Sequence, residues 1–468
     1  MTPLRIFGHY VSRQTALLLL LDAGIVVVGF FVGDWSRVFG TIGLWLGDPP
    51  LLPKVTVFLV AALLSFSLAG LYEKDPQPHF YKMVLRIAAA ALMWGMAYST
   101  LAFSIPDLRL SRFAVLTGIG LGSLGVLLVR QFQMVRSMAS GFRENRLLFL
   151  GATPVAARLI SAIQAESPGY TILGYVDDRD PHETPPTITN GFRILGKTAQ
   201  LREITTATRA NTIVVALAER RGAFPMQAIL ECKLQGIRVE DWPAFYEKLT
   251  GKIVVQDLRP SWLVFSEGFD RTRVTRMVKR WTDIALSVLM LALGWPVLLL
   301  VSLAIRLDSR GPTFFRQERV GERGRVFTLY KFRTMRDHAE MDTGPVWAAR
   351  DDVRITGVGR WLRKSRLDEF PQVINVLRGE MSFIGPRPER PHFVAQLQDR
   401  IPYYVQRHTV KPGITGWAQV RYPYGATVQD AEEKLQYDLY YIKNMSFFLD
   451  MLILLFTIQV ILFGRGAR

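Results

Sequence analysis

The chain has 468 residues, 49% of them hydrophobic, and its 57 Lys and Arg against 40 Asp and Glu give a formal net charge of +17. That length exceeds one ordinary core, so two or three domains are expected, and a chain both this apolar and this basic points to membrane surface or anionic substrates. Nucleic acid is excluded as the expected partner, because the cations are mixed into apolar runs and form no polar basic stripe with aromatic platforms. Cys232 is the only cysteine. An intrachain disulfide and a cysteine-based metal cluster are therefore excluded, and the soluble portions fit a reducing cytoplasm.

Four apolar stretches, 15–33, 51–71, 84–103 and 113–129, are each near the length that crosses a hydrocarbon core. They predict a four-helix transmembrane region over 1–135. A cleavable signal peptide is the poorer reading of the first stretch, since three more follow and no small-residue cleavage site is evident. Arg5 and Arg13 precede the first stretch. Lys74, Lys82 and Arg86 fill the second loop, and Arg130, Arg136, Arg143 and Arg146 follow the fourth stretch. The other two loops are poorer in cations, so both ends of the bundle are expected in the cytoplasm.

Over 146–260 short apolar runs alternate with helical patterns, predicting a Rossmann-like α/β domain. A strand at 147–150 runs into Gly151-Ala152-Thr153-Pro154 and a helix, and 172–176 and 212–217 read as further strands. A strand, a glycine turn and a helix start can seat a phosphate. Here Thr153 replaces the expected second glycine and Pro154 follows, which favours a structural or regulatory domain over nucleotide binding.

A basic collar of Arg271, Arg273, Arg276, Lys279 and Arg280 then precedes an apolar run over 284–305, and Arg306, Arg310 and Arg316 follow it. Cations on both flanks ask for both ends in the cytoplasm, and a full crossing would put everything downstream outside the cell. Pro296 removes the donor for the Ala292 carbonyl and bends the helix, so a re-entrant helix over 281–305 is expected, with a fifth, kinked transmembrane helix as the alternative. Residues 311–441 are polar and Arg-rich, the natural place for chemistry. At the end, 446–463 is apolar but carries Asp450 and Gln459, which predicts an interfacial amphipathic helix.

Within the polar segment Asp368-Glu369 is expected to open a helix, whose dipole favours the carboxylate form, beside Arg363, Lys364 and Arg366. An ionised aspartate among phosphate-binding cations is a competent nucleophile toward phosphorus, and two adjacent carboxylates suit Mg²⁺. An Asp-Glu pair at a helix start is in isolation more often a cap. Three more strings accompany it: Lys331-Phe-Arg-Thr-Met-Arg336, Gly385-Pro-Arg-Pro-Glu389 and Lys411-Pro-Gly-Ile-Thr-Gly-Trp-Ala-Gln-Val420. Arginine forks and lysine point charges are what a diphosphate demands, and the two prolines make a rigid turn that aims Arg387.

These strings, with Leu362-Arg-Lys and Leu367-Asp-Glu-Phe-Pro-Gln372, resemble the bacterial sugar transferases, the monotopic phosphoglycosyl transferases. The whole chain looks like their longer exopolysaccharide-type subclass, with four N-terminal spans, a Rossmann-like domain and a helix-rich mixed α/β catalytic domain over 275–468. The resemblance implies transfer of hexose-1-phosphate from a UDP-hexose to a polyprenyl phosphate at the inner membrane, with release of UMP and with Mg²⁺ as cofactor. It implies Asp368 as nucleophile, Glu369 as metal ligand beside Asp368, and Arg363, Arg387, Lys331 and Arg333 as phosphate contacts. Downstream glycosyltransferases and a flippase would be its pathway partners, and the extra helices leave surface for a homodimer. One departure stands out: family members commonly have serine before the helix-breaking proline, where this chain has Trp295. Two other classes remain open at this point. A nucleotide-responsive membrane sensor would transfer nothing, and a processive glycosyltransferase would release UDP.

Overall fold

The computed structural model describes residues 4–6, 9–11, 13–33, 51–72, 80–139, 145–166, 169–179, 190–217, 224–256, 266, 268–269, 272–336, 354–423, 425 and 427–463. The loop cations Lys74, Arg143 and Arg271 and the positions 257–260 lie outside the described residues. The chain divides into two units, with the boundary between Thr250 and Gly251.

The first unit opens with helices α1 (Arg13–Gly33), α2 (Leu51–Leu68), α3 (Phe80–Ser104) and α4 (Arg112–Ala139). They form because their runs are long, apolar and free of helix-interior proline, and at about 1.5 Å per residue α1 and the two longer helices reach membrane thickness. Among the described residues the helices long and apolar enough to cross are Thr15–Gly33, Phe80–Ser104, Arg112–Phe132 and Arg273–Asp308, with Leu52–Leu68 shorter. Phe58, Trp94 and Tyr98 fill the bundle core, while Leu20, Leu92, Phe103 and Leu116 face outward. An outward apolar surface around an aromatic interior is the pattern of a bundle solvated by lipid. Where α1 passes α4, a Cβ at Gly33 would overlap the Ala114 carbonyl, the close approach that small residues permit. Asp22, buried in α1, accepts from Arg130 Nη2 at 2.7 Å and from the Tyr72 hydroxyl at 3.0 Å.

The α/β part follows as β1 (Asn145–Leu150), α5 (Pro154–Glu166), β2 (Tyr170–Val176), β3 (Ile194–Gly196), α6 (Leu201–Thr208), β4 (Thr212–Val215), α7 (Met226–Leu234), β5 (Arg238–Asp241) and α8 (Trp242–Thr250). The sheet order is β3-β2-β1-β4-β5, all parallel, the arrangement of a Rossmann-like half with its crevice between β1 and β4. Leu147, Phe149 and Val214 fill one face of the sheet and Leu148, Leu150 and Ile213 the other, all fully buried.

The second unit begins earlier than the composition change near 260 implies. Ile253 and Val255 alternate into its core, the Ile253 amide donates to Gln436 O, and Trp417 Nε1 donates to Gly251 O. Its elements are α9 (Arg273–Asp308), the hairpin β6 (Phe314–Val320) and β7 (Val326–Phe332), α10 (Gly357–Ser365), a 3₁₀ turn (Leu367–Gln372), α11 (Val373–Arg378), β8 (Ser382–Ile384), α12 (Pro391–Gln398), β9 (Gly413–Thr415), α13 (Trp417–Arg421), α14 (Val428–Lys443) and α15 (Phe447–Phe463).

Helix α9 continues through Pro296 as one helix of 36 residues, where a break at the proline was expected. One face of it is fastened to the catalytic body along its length. Arg280 donates to the Val376 and Leu377 carbonyls, and Asp283 accepts from the Ser382 hydroxyl and the Phe383 amide. Gly294 lies so close to the Phe370 ring that a Cβ there would overlap it. Val301 and Ile305 pack with Phe332 and Leu362, and Asp308 accepts from the Val358 amide. The opposite face, with Leu293, Trp295, Leu299 and Leu303, is exposed and apolar.

In α15 the polar side of the helix faces the protein. Asp450 and Gln459 point inward and are buried, Asp450 accepting from Lys279 Nζ at 2.8 Å and from the Tyr441 hydroxyl at 2.8 Å. Phe447, Ile458 and Ile461 are the residues left outside. Asp450 is satisfied by groups of other elements inside the fold, which leaves the outward face of the helix apolar.

Candidate active site

Helix α10 ends at Arg366, which adopts a left-handed conformation (φ 59°) and turns the chain into the 3₁₀ turn that carries Asp368 and Glu369. Pro371 sits within that turn and has no amide hydrogen to continue an α-helical ladder. The pair therefore stands on a 3₁₀ turn ahead of a six-residue α11, where an ordinary helix start was expected. The ring of Phe370, next in the chain, rests on Gly294 of α9. The carboxylate pair is thus mounted directly on the apolar helix, two residues from Pro296.

Three other elements bring cations to the pair. Lys331 comes from β7, paired opposite Phe315 in the hairpin, and its strand is locked to α11 by the fully buried Asn375. That side chain accepts from the Tyr330 amide and donates to Thr328 O. Arg387 comes from the turn after β8. Parallel pairing of β8 with β9 sets Ser382 opposite Gly413 and Ile384 opposite Thr415, and Gly385, Gly413 and Gly416 approach so closely that a Cβ on any of them would overlap neighbouring backbone. The Gly385 to Pro388 turn and the Lys411 to Val420 string are therefore one interlocked object. Arg363 comes from α10, its Nε donating to the Thr334 hydroxyl at 2.9 Å.

The charges are divided unevenly. Oε1 of Glu369 accepts from Arg387 Nη2 at 2.7 Å and from Lys331 Nζ at 3.2 Å. Burial pushes the Glu369 carboxyl up, but Arg387 and Lys331 outweigh it and hold the group well below the usual carboxylate range. Asp368 moves the other way: burial and the neighbouring Glu369 charge raise it, against the pull of Lys331, Arg387 and Arg363. The helix dipole expected to favour its ionised form is outweighed by that burial and that like charge. Burial likewise lowers the Lys331 ammonium, while the Glu369 carboxylate raises Arg387. The Asp368 carboxylate makes no hydrogen bond with a described residue. Among the described residues, one acid is clamped by two cations and its neighbour is not.

Lys331, Arg363, Arg366 and Arg387 act on these two carboxylates, a local excess of two positive charges that matches a diphosphate. Arg333 stands apart from them. Its guanidinium donates to Arg310 O and Ser309 O, both at 2.7 Å, so in this arrangement it fastens the end of α9. Residues that sequence reasoning passed over also shape the site. The Arg407 guanidinium donates to Arg387 O and to Asp438 Oδ2, Arg319 donates to Pro388 O, and Asn375 anchors the Lys331 strand. Nothing in their spacing signals these contacts. Among the described residues no three His, Cys, Asp or Glu gather as a metal cage. The Asp368-Glu369 pair fits a hard ion that takes one or two carboxylates and shares the rest of its shell with substrate phosphates.

Two family models match the chain: the bacterial sugar transferase model over residues 274–464 and the CoA-binding domain model over residues 67–236. An uncharacterized sugar transferase of Bacillus subtilis is 40% identical over 196 residues, which cover 41% of this chain and 91% of that protein. The chain belongs to the bacterial sugar transferase family. This sugar transferase is also 41% identical, over 263 residues, to the UDP-N-acetylgalactosamine-undecaprenyl-phosphate N-acetylgalactosaminephosphotransferase of Aeromonas hydrophila, covering 56% of this chain and 61% of that protein. Along almost its full length it is 28% identical to the UDP-glucose:undecaprenyl-phosphate glucose-1-phosphate transferase of Xanthomonas campestris, with 99% of this chain and 96% of that protein covered. The pairing of apolar helices and an α/β domain with a transferase unit is that of the long exopolysaccharide-type subclass.

The turn after β1 does not fit the phosphates of coenzyme A. Asp177, at the end of β2, already accepts from the Ala152 amide at 2.6 Å, and Arg179 clamps that carboxylate through Nε at 3.0 Å and Nη2 at 2.7 Å. Burial raises Asp177, but the Arg179 hydrogen bonds and the amides prevail and keep it low. A carboxylate therefore occupies the place where a helix start would take an anion, and Pro154 has no amide hydrogen to offer.

Proposed function

We propose that this sugar transferase moves a hexose-1-phosphate from a UDP-hexose to undecaprenyl phosphate, releasing UMP, as the initiating step of exopolysaccharide or related glycan synthesis. The observation that carries the reading is the asymmetry of the acidic pair: Glu369 is held by hydrogen bonds from Arg387 and Lys331, while the Asp368 carboxylate, among the same cations, makes no hydrogen bond with a described residue. A carboxylate held among phosphate-binding cations is placed to attack phosphorus. The undecaprenyl-phosphate sugar phosphotransferase names of the Aeromonas and Xanthomonas relatives support the same substrates.

In this mechanism an Asp368 carboxylate oxygen attacks the β-phosphorus of the donor. A bond forms between that oxygen and phosphorus, and the bond from the β-phosphorus to the bridging oxygen breaks, so the electron pair leaves with UMP. Lys331, Arg363 and Arg387 orient the donor and offset its charge. A phosphate oxygen of the lipid carrier then attacks the same phosphorus, and the bond to Asp368 breaks to restore the carboxylate. Mg²⁺, held by Glu369 and Asp368, would neutralise charge on the phosphates when bound. Burial of Asp368 suits this role, since a carboxylate raised and desolvated in the resting site gains stability on esterification.

The membrane arrangement follows from α9. Its fastened face touches the catalytic body from Arg280 to Asp308, so a full crossing would drag that polar body through hydrocarbon. This supports an α9 that enters the membrane without crossing it, with both cation-rich flanks in the cytoplasm. Because Phe370 rests on Gly294, the acidic pair stands beside the membrane-facing helix, within reach of a carrier phosphate. Among donors and products, the released nucleotide is the discriminating readout. Purified protein with a panel of UDP-sugars and undecaprenyl phosphate yields UMP under this reading. UDP as product would replace it with a glycosyltransferase, and no nucleotide release with any donor would leave the sensor reading.

A further inference from the structure

Arg387 sits between Pro386 and Pro388, neither of which has an amide hydrogen. This stretch therefore cannot fix itself through its own proline donors, and it is held instead by donors that reach its carbonyls. Three successive carbonyls each accept one. Pro386 O accepts from the Gly413 amide at 2.9 Å, Arg387 O from Arg407 Nη2 at 3.0 Å, and Pro388 O from Arg319 Nη1 at 3.0 Å. The first comes from backbone that the glycine junction already fixes. The middle one, on the residue whose side chain grips Glu369, comes from a side chain that is itself clamped.

That clamp is buried. Arg407 donates to Asp438 Oδ2 at 2.8 Å and, through Nη1, to the Tyr404 hydroxyl at 2.7 Å, and the Arg407 and Asp438 side chains are 6% and 2% exposed. A buried ion pair gives little stability beyond that of apolar residues of the same volume, because desolvation offsets the attraction. What a guanidinium does provide is a rigid planar fork that can serve three acceptors in fixed directions at once. Here those acceptors lie on three separate pieces of chain: the turn bearing Arg387, the 3₁₀ segment Tyr404–Thr409, and α14.

We propose that Arg407, clamped by Asp438 and Tyr404, is a positioning residue that aims Arg387 at the donor phosphate and at Glu369. The proposal rests on the phosphotransfer reading above. Arg407 itself touches neither carboxylate of the acidic pair and acts through the peptide it holds. A lysine in its place has a single ammonium on a flexible stem and cannot hold all three acceptors in the same directions. Misplacement of a catalytic group by about 1 Å is enough to cost on the order of 100-fold in rate.

The test is a double-mutant cycle in the full chain, in detergent or nanodiscs, with hydrogen exchange on the same samples. Arg407→Lys is expected to lower kcat/KM by about 30-fold, chiefly in kcat, and by less than about threefold when Arg387→Ala is already present, because coupled residues do not add. Equal losses in the two backgrounds would overturn the proposal and leave Arg407 a folding residue. Amide exchange over 385–390 is expected to quicken in Arg407→Lys while 413–421 stays unchanged. Unaltered exchange over 385–390 would overturn it whether or not turnover is detected. Tyr404→Phe, which keeps the ring and removes one acceptor, is expected to give the same pattern at smaller amplitude and serves if the lysine variant does not fold. Wild-type protein that releases no UMP, yet shows the exchange difference, would sink the phosphotransfer reading and leave the clamp standing.

Discussion

Two turns in this chain have the look of phosphate sites, and they end differently. At Gly151 to Pro154 the strand, glycine and helix start are in place, yet the anion position is filled by the chain's own Asp177 and sealed by Arg179. At Gly385 to Pro388 an excess of cations converges on an acidic pair of which one member, Asp368, makes no hydrogen bond with a described residue. Backbone shape alone does not make an anion site. The balance of charge left over after the protein has satisfied itself does.

The largest effect expected from breaking this contrast is at the nucleophile. Asp368→Asn removes the attacking oxygen anion and is expected to lower UMP release by on the order of 1000-fold or more. The same change is expected to raise thermal stability. A carboxyl whose folded pKa is raised contributes stability only at low pH and loses it as pH rises, so at neutral pH its charge opposes the fold. An increase of about 2 °C in Tm is the expected size, read by differential scanning fluorimetry.

Glu369→Gln is expected to act in the opposite sense on stability. A carboxyl held low contributes stability above its unfolded value and loses it on acidification, so the amide should lower Tm by a few degrees at pH 7. Turnover is expected to fall by about 100-fold. What remains should show an acid limb displaced to lower pH, because the like charge that raises Asp368 is gone. An acid limb that moves up instead would contradict the assignment of that limb to Asp368.

Gly294→Leu sharpens the comparison from the membrane side. It forces the Phe370 ring off α9 and tilts the turn bearing Asp368, with an expected loss of about tenfold to 100-fold in kcat and normal membrane retention. The smallest effects belong to the sealed turn. Arg179→Ala should leave transfer within about twofold, and calorimetric titration of the wild type with coenzyme A should give no saturable heat, since Asp177 still blocks the Ala152 amide. Tight binding there would erase the distinction between the turns.

Much of this was legible in the sequence for a physical reason. Periodicity and span length report what a segment is solvated by, which is why the apolar helices and the parallel α/β sheet could be read. The phosphate strings were legible because glycine, proline and arginine at fixed spacing leave few backbone solutions, and the interlocked Gly385, Gly413 and Gly416 are one of them. What the sequence did not show has a different cause. Arg333 lies in a phosphate-type string but donates to the Ser309 and Arg310 carbonyls, and the burial of Asp450 against Lys279 could not be read from its helix. Both depend on partners brought close only by tertiary folding. Arg407 and Asp438, 31 residues apart, were invisible for the same reason. The Asp368 environment was misjudged because burial and Glu369 prevail over a helix dipole that a 3₁₀ turn scarcely supplies.

The most direct trial of the central claim is to quench the protein during turnover with a donor labelled at its β-phosphate and to map the label by mass spectrometry. A phosphosugar adduct on Asp368, formed without lipid acceptor, discharged by undecaprenyl phosphate and missing from Asp368→Asn, is the expected result. Steady UMP release with no adduct at any stage, or an adduct on a different residue, would contradict it.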